Sequence, residues 1–176
     1  LRLGLANSEH PSLAVRLMTV LRNAGKDADA VRFVDEWIKK HPGDSSFTMF
    51  VADAAMRRSD FREAERWYRA TIAIDKKNSL AMNNLAWLLG REKSPEAVQF
   101  AAQAVALAPT NPAILDTAGS VYLAAGQTPK ALELLSKAWE RMPTSATAGL
   151  NYAKALIASG RKDEARDLLQ KVEKLP

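Results

Sequence analysis

Five alanines are spaced almost evenly along this 176-residue chain. They stand at Ala30, Ala64, Ala97, Ala131 and Ala165, so successive members are 34, 33, 34 and 34 residues apart. A period in this range is typical of a solenoid built from stacked repeats. Each alanine follows a turn and precedes a stretch with apolar residues at helical spacing. The sequence therefore predicts a repeated pair of helices, and we expect any function on a surface that the repeats share.

Alignment of the units on this alanine gives the organisation of the chain. It predicts a single array with repeats at 11–44, 45–78, 79–111, 112–145 and 146–176, in which the third repeat loses one residue around Lys93. The preceding residues, 1–10, have the pattern of the tail of an earlier repeat. We therefore expect the array to be a fragment of a longer chain.

Capping residues mark the predicted helix starts. Asp60 and Glu63 have the spacing of a capping pair before a second helix. Three dipeptides place a capping side chain before a proline at the first helical position, Ser94-Pro95, Asn111-Pro112 and Thr128-Pro129. Between paired helices, one repeat position carries Gly25, Gly126 and Gly160. Glycine suits a sharp turn with positive φ, so these glycines indicate turns and not phosphate-binding loops.

Composition excludes several classes of site. The chain has no cysteine, which removes disulfides, thiolate zinc sites and a cysteine nucleophile. No apolar run reaches the roughly 20 residues needed to span a bilayer. The net charge of +5 is modest, and its cations are interspersed with acids, which favours a solvated helical surface over a nucleic-acid patch.

The repeat pattern resembles that of the tetratricopeptide repeat (TPR) family. The fourth repeat carries the clearest match, with Gly119, Tyr122, Gly126, Ala131, Ala138 and Pro143 at family positions. This resemblance implies an all-α fold, a right-handed α-solenoid of about five helix-turn-helix repeats. It also implies that the first helices line a concave groove, which in this family usually binds an extended peptide or a partner helix.

The repeat register assigns residues of the first helices to that groove. The candidate ligand-binding residues are Arg16, Thr19, Met49, Phe50, Asp53, Arg57, Asn83, Asn84, Trp87, Arg91, Asp116, Thr117 and Ser120. The same register brings Val15, Arg22, Leu150, Asn151 and Lys154 to the groove. Asparagine amides can pair with a peptide backbone, arginine can clamp a carboxylate, and Trp87 can anchor a partner side chain. Packing between repeats is the alternative role for Met49, Phe50 and Trp87.

The other tryptophans, Trp37, Trp67 and Trp139, fall on second helices, where we expect packing. The groove lacks the lysine and asparagine pair with which some TPR modules clamp chaperone tails, so a different ligand is expected. The runs 83–89 and 107–117 resemble bacterial TPR lipoproteins of the exosortase and PEP-CTERM system. That resemblance implies an envelope scaffold, a lipoprotein on the periplasmic side, acting in protein sorting or exopolysaccharide export; otherwise we expect a cytoplasmic protein.

The function that these patterns favour is an interaction scaffold that binds a protein or peptide and is not an enzyme. His10 and His41 fall in loops, and no catalytic, cofactor or metal motif is present, so no cofactor or metal is proposed. Two alternatives stay open: RNA or polysaccharide binding in the same groove, and a regulatory arm of an enzyme whose catalytic domain lies elsewhere. Self-association through the terminal repeats is a further alternative, because the last helix, around Leu168, Leu169, Val172 and Leu175, lacks an obvious following polar cap.

Overall fold

Helices are the only regular elements in the part of the chain that the structure describes. The structure is a computed structural model, and it describes residues 11–175. The tail of an earlier repeat predicted at 1–10, with His10, lies outside those residues. The described chain forms two compact units, the first ending at Lys76 and the second beginning at Lys77. That all five repeats form a single array stays a prediction.

Ten helices occur within residues 11–175, two in each predicted repeat. The first helices of the repeats are α1 (Pro11–Asn23), α3 (Ser45–Arg57), α5 (Ser79–Arg91), α7 (Pro112–Ala124) and α9 (Ala146–Ala158). The second helices are α2 (Asp27–Lys40), α4 (Phe61–Ile74), α6 (Glu96–Leu107), α8 (Thr128–Arg141) and α10 (Lys162–Glu173). The predicted all-α class and the helix-turn-helix repeat are therefore confirmed.

Turn geometry, more than the capping residue, decides where the second helices begin. The predicted glycines have positive φ, +67° at Gly25, +75° at Gly126 and +84° at Gly160. The same turn position carries Ser59 at +61° and Lys93 at +56° in the second and third repeats. In every repeat but the third, the second helix begins two residues after this positive-φ residue.

The structure confirms some of the predicted helix caps and contradicts others. The Asp60 side chain accepts from the backbone N–H of Glu63 at 3.1 Å, and Asn111 accepts from Ala113 at 3.1 Å, so both are confirmed as caps. Glu63 does not complete the predicted capping pair, because its carboxylate accepts from Arg22 and Arg58, and the Asp60 N–H donates to the Ala55 carbonyl. The prediction that Thr128 caps α8 is wrong, because Thr128 is already part of the helix. The cap position falls on Gln127, which directly follows the positive-φ residue Gly126. That position follows directly from the turn, and Gln127 makes no side-chain capping bond.

The shortened third repeat loses its residue at the start of α6. The positive-φ residue Lys93 lies 34 residues after its equivalent, Ser59, so no residue is lost before the turn. After the turn, the alanine follows four residues later in the third repeat (Ala97) but five residues later in the second (Ala64). Pro95 takes the cap position of α6, and the Ala97 N–H bonds the Ser94 carbonyl at 3.1 Å. The Ser94 hydroxyl accepts only a long bond of 3.4 Å, from the Glu96 N–H. The deletion thus tightens the first turn and displaces the predicted cap.

The five evenly spaced alanines, Ala30, Ala64, Ala97, Ala131 and Ala165, which we call the alanine ladder, are the small residues of the repeat core. Ala30, Ala64 and Ala131 have no exposed surface, and Ala97 and Ala165 are almost as fully buried. In the second unit, Ala131 packs with Leu135 of α8 and Ala155 of α9. A small residue at this position lets neighbouring helices approach closely, since a larger one would need space that the core does not have.

The second helices carry the large packing residues. Trp37 and Trp67 are each 6% exposed, and Trp139 packs against the core cluster of Leu156 and Leu168. The predicted packing role of these three residues is confirmed. His41 directly follows α2, and its ring lies 4.2 Å from the Trp37 ring, measured between centroids. No helix among those described is long and apolar enough to cross a bilayer.

Candidate functional site

The candidate residues lie on first helices, and within each unit we call the side of those helices that carries them the first-helix face. In the first unit it comprises residues of α1 and α3. Arg16 and Thr19 of α1 are exposed, and the Thr19 hydroxyl donates to the Val15 carbonyl at 2.8 Å. Met49 and Phe50 of α3 are half-buried. Arg57 is exposed, with its guanidinium carbon 5.8 Å from the centroid of the Phe50 ring.

Asp53 of α3 is held from inside the first unit. Its Oδ1 accepts a 2.7 Å hydrogen bond from the hydroxyl of Tyr68, which belongs to α4 and is 1% exposed. This bond uses one oxygen of a half-buried carboxylate and ties α3 to its partner helix. Asp53 therefore has a structural contact that the repeat register alone does not reveal, because the two residues are on different helices.

In the second unit, α5 presents an aromatic side chain to the surface. Trp87 is 41% exposed, although it lies between the buried Ala86 and Leu88. The Arg91 guanidinium lies one helical turn away, 5.0 Å from the centroid of the Trp87 ring, a cation–π distance. The pair therefore places a positive charge over a partly exposed indole ring.

Two asparagines precede this pair on α5. Asn83 and Asn84 are half-buried, and the Asn83 amide donates to Oδ1 of Asn84 at 3.1 Å. The carbonyl oxygen of the Asn83 side chain is buried and accepts no hydrogen bond from residues 11–175. Amide groups placed this way can pair with the backbone of an extended peptide.

A polar cluster joins α7 to α9 on the same face. The amide of Asn151 donates to both carboxylate oxygens of Asp116, at 3.1 and 3.0 Å. Burial raises the pKa of Asp116 above its ordinary value, and the Asn151 hydrogen bond and the nearby positive charge of Lys154 only partly offset this. Lys154 is exposed, and Thr117 and Ser120 of α7 are half-buried. The cluster thus offers acceptor, donor and positive charge within one short stretch.

The Arg22 side chain, also predicted in the groove, is mostly buried and is held by two ion pairs within the first unit. It is 15% exposed, and its two terminal nitrogens bond Asp27 at 3.0 Å and Glu63 of α4 at 3.1 Å. The sequence had a signal for this placement, since the same repeat position holds Met56, Gly90, Leu123 and Ile157. Apolar residues at that position in other repeats indicate an inward orientation, whereas the repeat register alone predicts that Arg22 lies in the groove.

Metal chemistry finds no support in the described chain. Within residues 11–175 no three acidic or histidine side chains are grouped so that they could hold a metal ion. The groups on the first-helix face include amides, two aromatic rings, two carboxylates that lie on different helices, and cations. Such a set can bind a polypeptide by hydrogen bonds, aromatic packing and ion pairs.

Comparison with known sequences decides the family. Tetratricopeptide repeat profiles match residues 16–79 and 51–112, and another matches residues 122–174. The chain belongs to the tetratricopeptide repeat family. A TPR repeat-containing protein of Pseudomonas aeruginosa is 30% identical over 148 residues, which cover 81% of this chain. The chain spans 25% of that relative's length.

Solved TPR structures share the fold. MamA from Desulfovibrio magneticus RS-1 has a TM-score of 0.77 and 18% identity, with 94% of each chain covered. YrrB, described as a TPR protein with an unusual peptide-binding site, has a TM-score of 0.75 and 16% identity. That comparison covers 97% of this chain and 88% of YrrB. At these identities the likeness establishes the TPR fold, which typically serves as a scaffold for protein interactions.

Proposed function

We propose that this chain binds a peptide or a segment of a partner protein on its first-helix face and has no catalytic activity of its own. The observation that carries the proposal is the exposed Trp87. The equivalent position in the other repeats holds Thr19, Asp53, Ser120 and Lys154, none of them large and apolar. A tryptophan is therefore not required there by the repeat's packing. Its indole is 41% exposed, and tryptophan is among the residues most enriched at binding hot spots.

The surroundings of Trp87 suit an amphipathic polypeptide. Arg91 adds a positive charge beside the indole, while Asn83 and Asn84 lie one turn earlier on α5. On α9, Lys154 adds a second positive charge near the Asp116 and Asn151 pair. An apolar anchor with mixed polar groups around it is the usual composition of a peptide-binding surface. The peptide-binding site of YrrB supports the proposal by analogy of fold.

Site-specific crosslinking tests which face binds. A photoreactive residue is placed at Asn84 or Lys154 on first helices, and at Gln99 or Glu140, exposed residues of second helices, as matched controls. Adducts with a partner from the parent organism are expected from the first two positions and not from the controls. Adducts from the second-helix positions alone would overturn the assignment of the face.

RNA or polysaccharide binding on the same face is the alternative, and salt dependence distinguishes the RNA case. A complex with RNA weakens steeply as salt rises, because binding releases condensed counterions. A peptide anchored by Trp87 is expected to dissociate far less with salt and to be lost on Trp87→Ala. A steep salt dependence with no effect of that substitution would favour the nucleic acid and contradict peptide anchoring.

A role in the bacterial envelope, in protein sorting or exopolysaccharide export, is a narrower proposal. The runs 83–89 and 107–117 support it, through their resemblance to exosortase-system lipoproteins. The test is fractionation of cells that express the whole parent protein. Recovery with the envelope is expected, and recovery with the cytoplasm would exclude this role.

Self-association through the last repeat is also proposed. Leu150 and Ile157 of α9 are 44% and 50% exposed and border a cavity of about 670 Å³ that reaches along α10. In the fourth repeat the equivalent of Ile157 is Leu123, which packs against the cluster that contains Ala155 of α9. In an antiparallel pairing of two α10 helices, Glu173 of one copy would face Lys162 and Arg166 of the other. Sedimentation should show a dimer that Ile157→Lys abolishes, and a monomer at all accessible concentrations would contradict it.

A further inference from the structure

A cavity of about 390 Å³ lies in the first unit, bordered by α1, α2 and α4. Arg22 of α1 and Trp67 of α4 both line it, and we call it the Arg22–Trp67 cavity. Its volume falls within the range of pockets that hold small ligands or a short peptide segment. It involves none of the thirteen candidate residues of the first-helix face.

Two buried N–H groups of this cavity have no acceptor. They are the Nε of Arg22 and the Nε1 of Trp67, and neither finds a hydrogen-bond partner among the described residues. Trp67 is 6% exposed, and the Arg22 side chain is 15% exposed. Burial of an N–H without an acceptor is costly, because the group gives up its bonds to water and gains none in return. Both groups are donors, so a single acceptor group would satisfy both.

The other repeats show that these donors are not needed for packing. The position of Trp67 holds Phe33, Phe100, Leu134 and Leu168 elsewhere, and that of Arg22 holds Met56, Gly90, Leu123 and Ile157. Trp37 also lies on a second helix, but its indole N–H donates to Asp44 at 3.1 Å. Polar N–H groups thus replace apolar ones at two repeat positions that line one cavity.

The charges around the cavity favour an anion. Glu63 already accepts from two guanidinium groups, those of Arg22 at 3.1 Å and Arg58 at 2.6 Å. Arg62 and Arg66 also line the cavity and are exposed, and neither forms an ion pair within the described chain. The other acidic residues that line the cavity are Asp35, which is exposed on α2, and Asp60, whose carboxylate caps α4. The unpaired positive charge therefore exceeds the unpaired negative charge.

We propose that the Arg22–Trp67 cavity binds a carboxylate of a peptide, presented by an acidic side chain or by a C-terminus. A carboxylate is purely an acceptor and has lone pairs for both N–H groups, which a neutral hydroxyl or amide would match less well. The Arg66 guanidinium lies 4.7 Å from the centroid of the Trp67 ring. Because Arg66 is exposed and long, it can shift to admit the ligand and then add its charge to the bound carboxylate.

Nuclear magnetic resonance of the indole N–H groups tests this directly. Two probes are titrated into the labelled protein, a doubly blocked dipeptide of glutamic acid and a glycine dipeptide with a free C-terminus. The resonance of Trp67, assigned by its loss in Trp67→Phe, is expected to shift and saturate with at least one probe. The probe that acts identifies the source of the carboxylate, a side chain or a terminus. A Trp67 resonance that moves with neither probe, or equally with sodium chloride, would overturn the proposal.

The residues found at the equivalent positions of other repeats supply conservative substitutions for Trp67 and Arg22. Trp67→Phe introduces the residue of the first and third repeats, and Arg22→Met introduces that of the second, so both are expected to fold. Loss of a hydrogen bond to a charged ligand corresponds to about a tenfold weakening or more for each variant. Trp37→Phe is the control, since its N–H is already bonded to Asp44, and binding should be unchanged. Equal binding by all three variants, with helical circular dichroism intact, would likewise overturn the proposal.

Discussion

Gly119 allows α7 to approach α8 more closely than any larger residue would permit. A Cβ at this position would lie 2.5 Å from Cγ of Leu135 and 2.9 Å from its Cδ2. Leu135 is fully buried and cannot move aside. We therefore expect Gly119→Ala to lower the free energy of unfolding by about 1 to 3 kcal/mol, the usual cost of overpacking, as measured by urea denaturation.

Gly90→Ala is the matched control for this substitution. The nearest atom to its added Cβ is Cγ2 of Val121, at 3.2 Å, so the contact is tight but requires only a small shift. Alanine also favours the helix by about 0.5 to 1 kcal/mol over glycine. Gly90→Ala is expected to be close to neutral, and an equal effect of both substitutions would contradict the account of close approach at Gly119.

Asp116 makes stability depend on pH. Burial raises its pKa above the ordinary value, so the folded chain binds more protons than the unfolded chain between the ordinary and the raised pKa. Stability from this group is therefore present at low pH and is lost as pH rises through that window. Asp116→Asn keeps an oxygen acceptor for Asn151 and cannot ionise.

The expected result is a difference between variant and wild type that changes with pH. The stability of Asp116→Asn relative to wild type should increase as pH rises from below about 4 to neutrality. Urea unfolding at several pH values measures it. A relative stability that is constant with pH, or that falls as pH rises, would show that burial does not dominate at Asp116.

At this scale the sequence predicts burial better than partners. The ladder correctly places Ala30 and Ala131 in the core, because the period alone fixes which side of a helix faces its neighbour. It does not reveal that Tyr68 bonds Asp53 or that Asn151 bonds Asp116. Those pairs join different helices, and their formation depends on side-chain reach as well as on register.

At the scale of the elements, one residue serves two helices. Asp44 caps α3 by accepting from the Phe47 N–H at 2.9 Å, and its other oxygen accepts from the Trp37 indole of α2 at 3.1 Å. Asp44→Ala removes a cap and also leaves a buried indole N–H without its acceptor. It should cost about 1 kcal/mol or more beyond the loss of a cap alone, by denaturant unfolding.

Asn78→Ala supplies the comparison, because Asn78 caps α5 through a 2.9 Å bond from the Ala81 N–H and its side chain forms no second hydrogen bond within residues 11–175. Its loss should cost about 1 kcal/mol. Two substitutions of equal cost would mean that the indole bond of Trp37 contributes nothing to the joining of α2 and α3.

The helix starts show what sequence reasoning can and cannot give at this scale. Asn111 was correctly predicted because a capping side chain and the turn agree there. Thr128 was wrong because the positive-φ residue Gly126 already sets the start of α8, so the Thr-Pro pair falls inside the helix. Turn geometry thus overrides a local capping signal when the two conflict.

At the scale of the whole molecule, the period of the alanines predicts a helical repeat, and the resemblance of the fourth repeat to the TPR pattern predicts the family, which the profile matches confirm. The period is not sufficient to predict which surface binds. Every repeat offers the same positions, and function depends on the residues that depart from the repeat. Trp87 departs at an exposed position, whereas Arg22 and Trp67 depart at positions that are apolar elsewhere. Comparison of the repeats with one another, position by position, finds all three.

Anchoring of a polypeptide by Trp87 on the first-helix face is the core of the proposed function. Its most direct test is the dissociation constant for the crosslinked partner segment, measured for wild type, Trp87→Ala and Trp139→Phe, the last as a control on a second helix. Loss of an anchor costs about 2 kcal/mol or more, so Trp87→Ala should weaken binding by roughly thirtyfold, while Trp139→Phe leaves it unchanged. Unchanged affinity in Trp87→Ala, with its helical content intact, would contradict the claim.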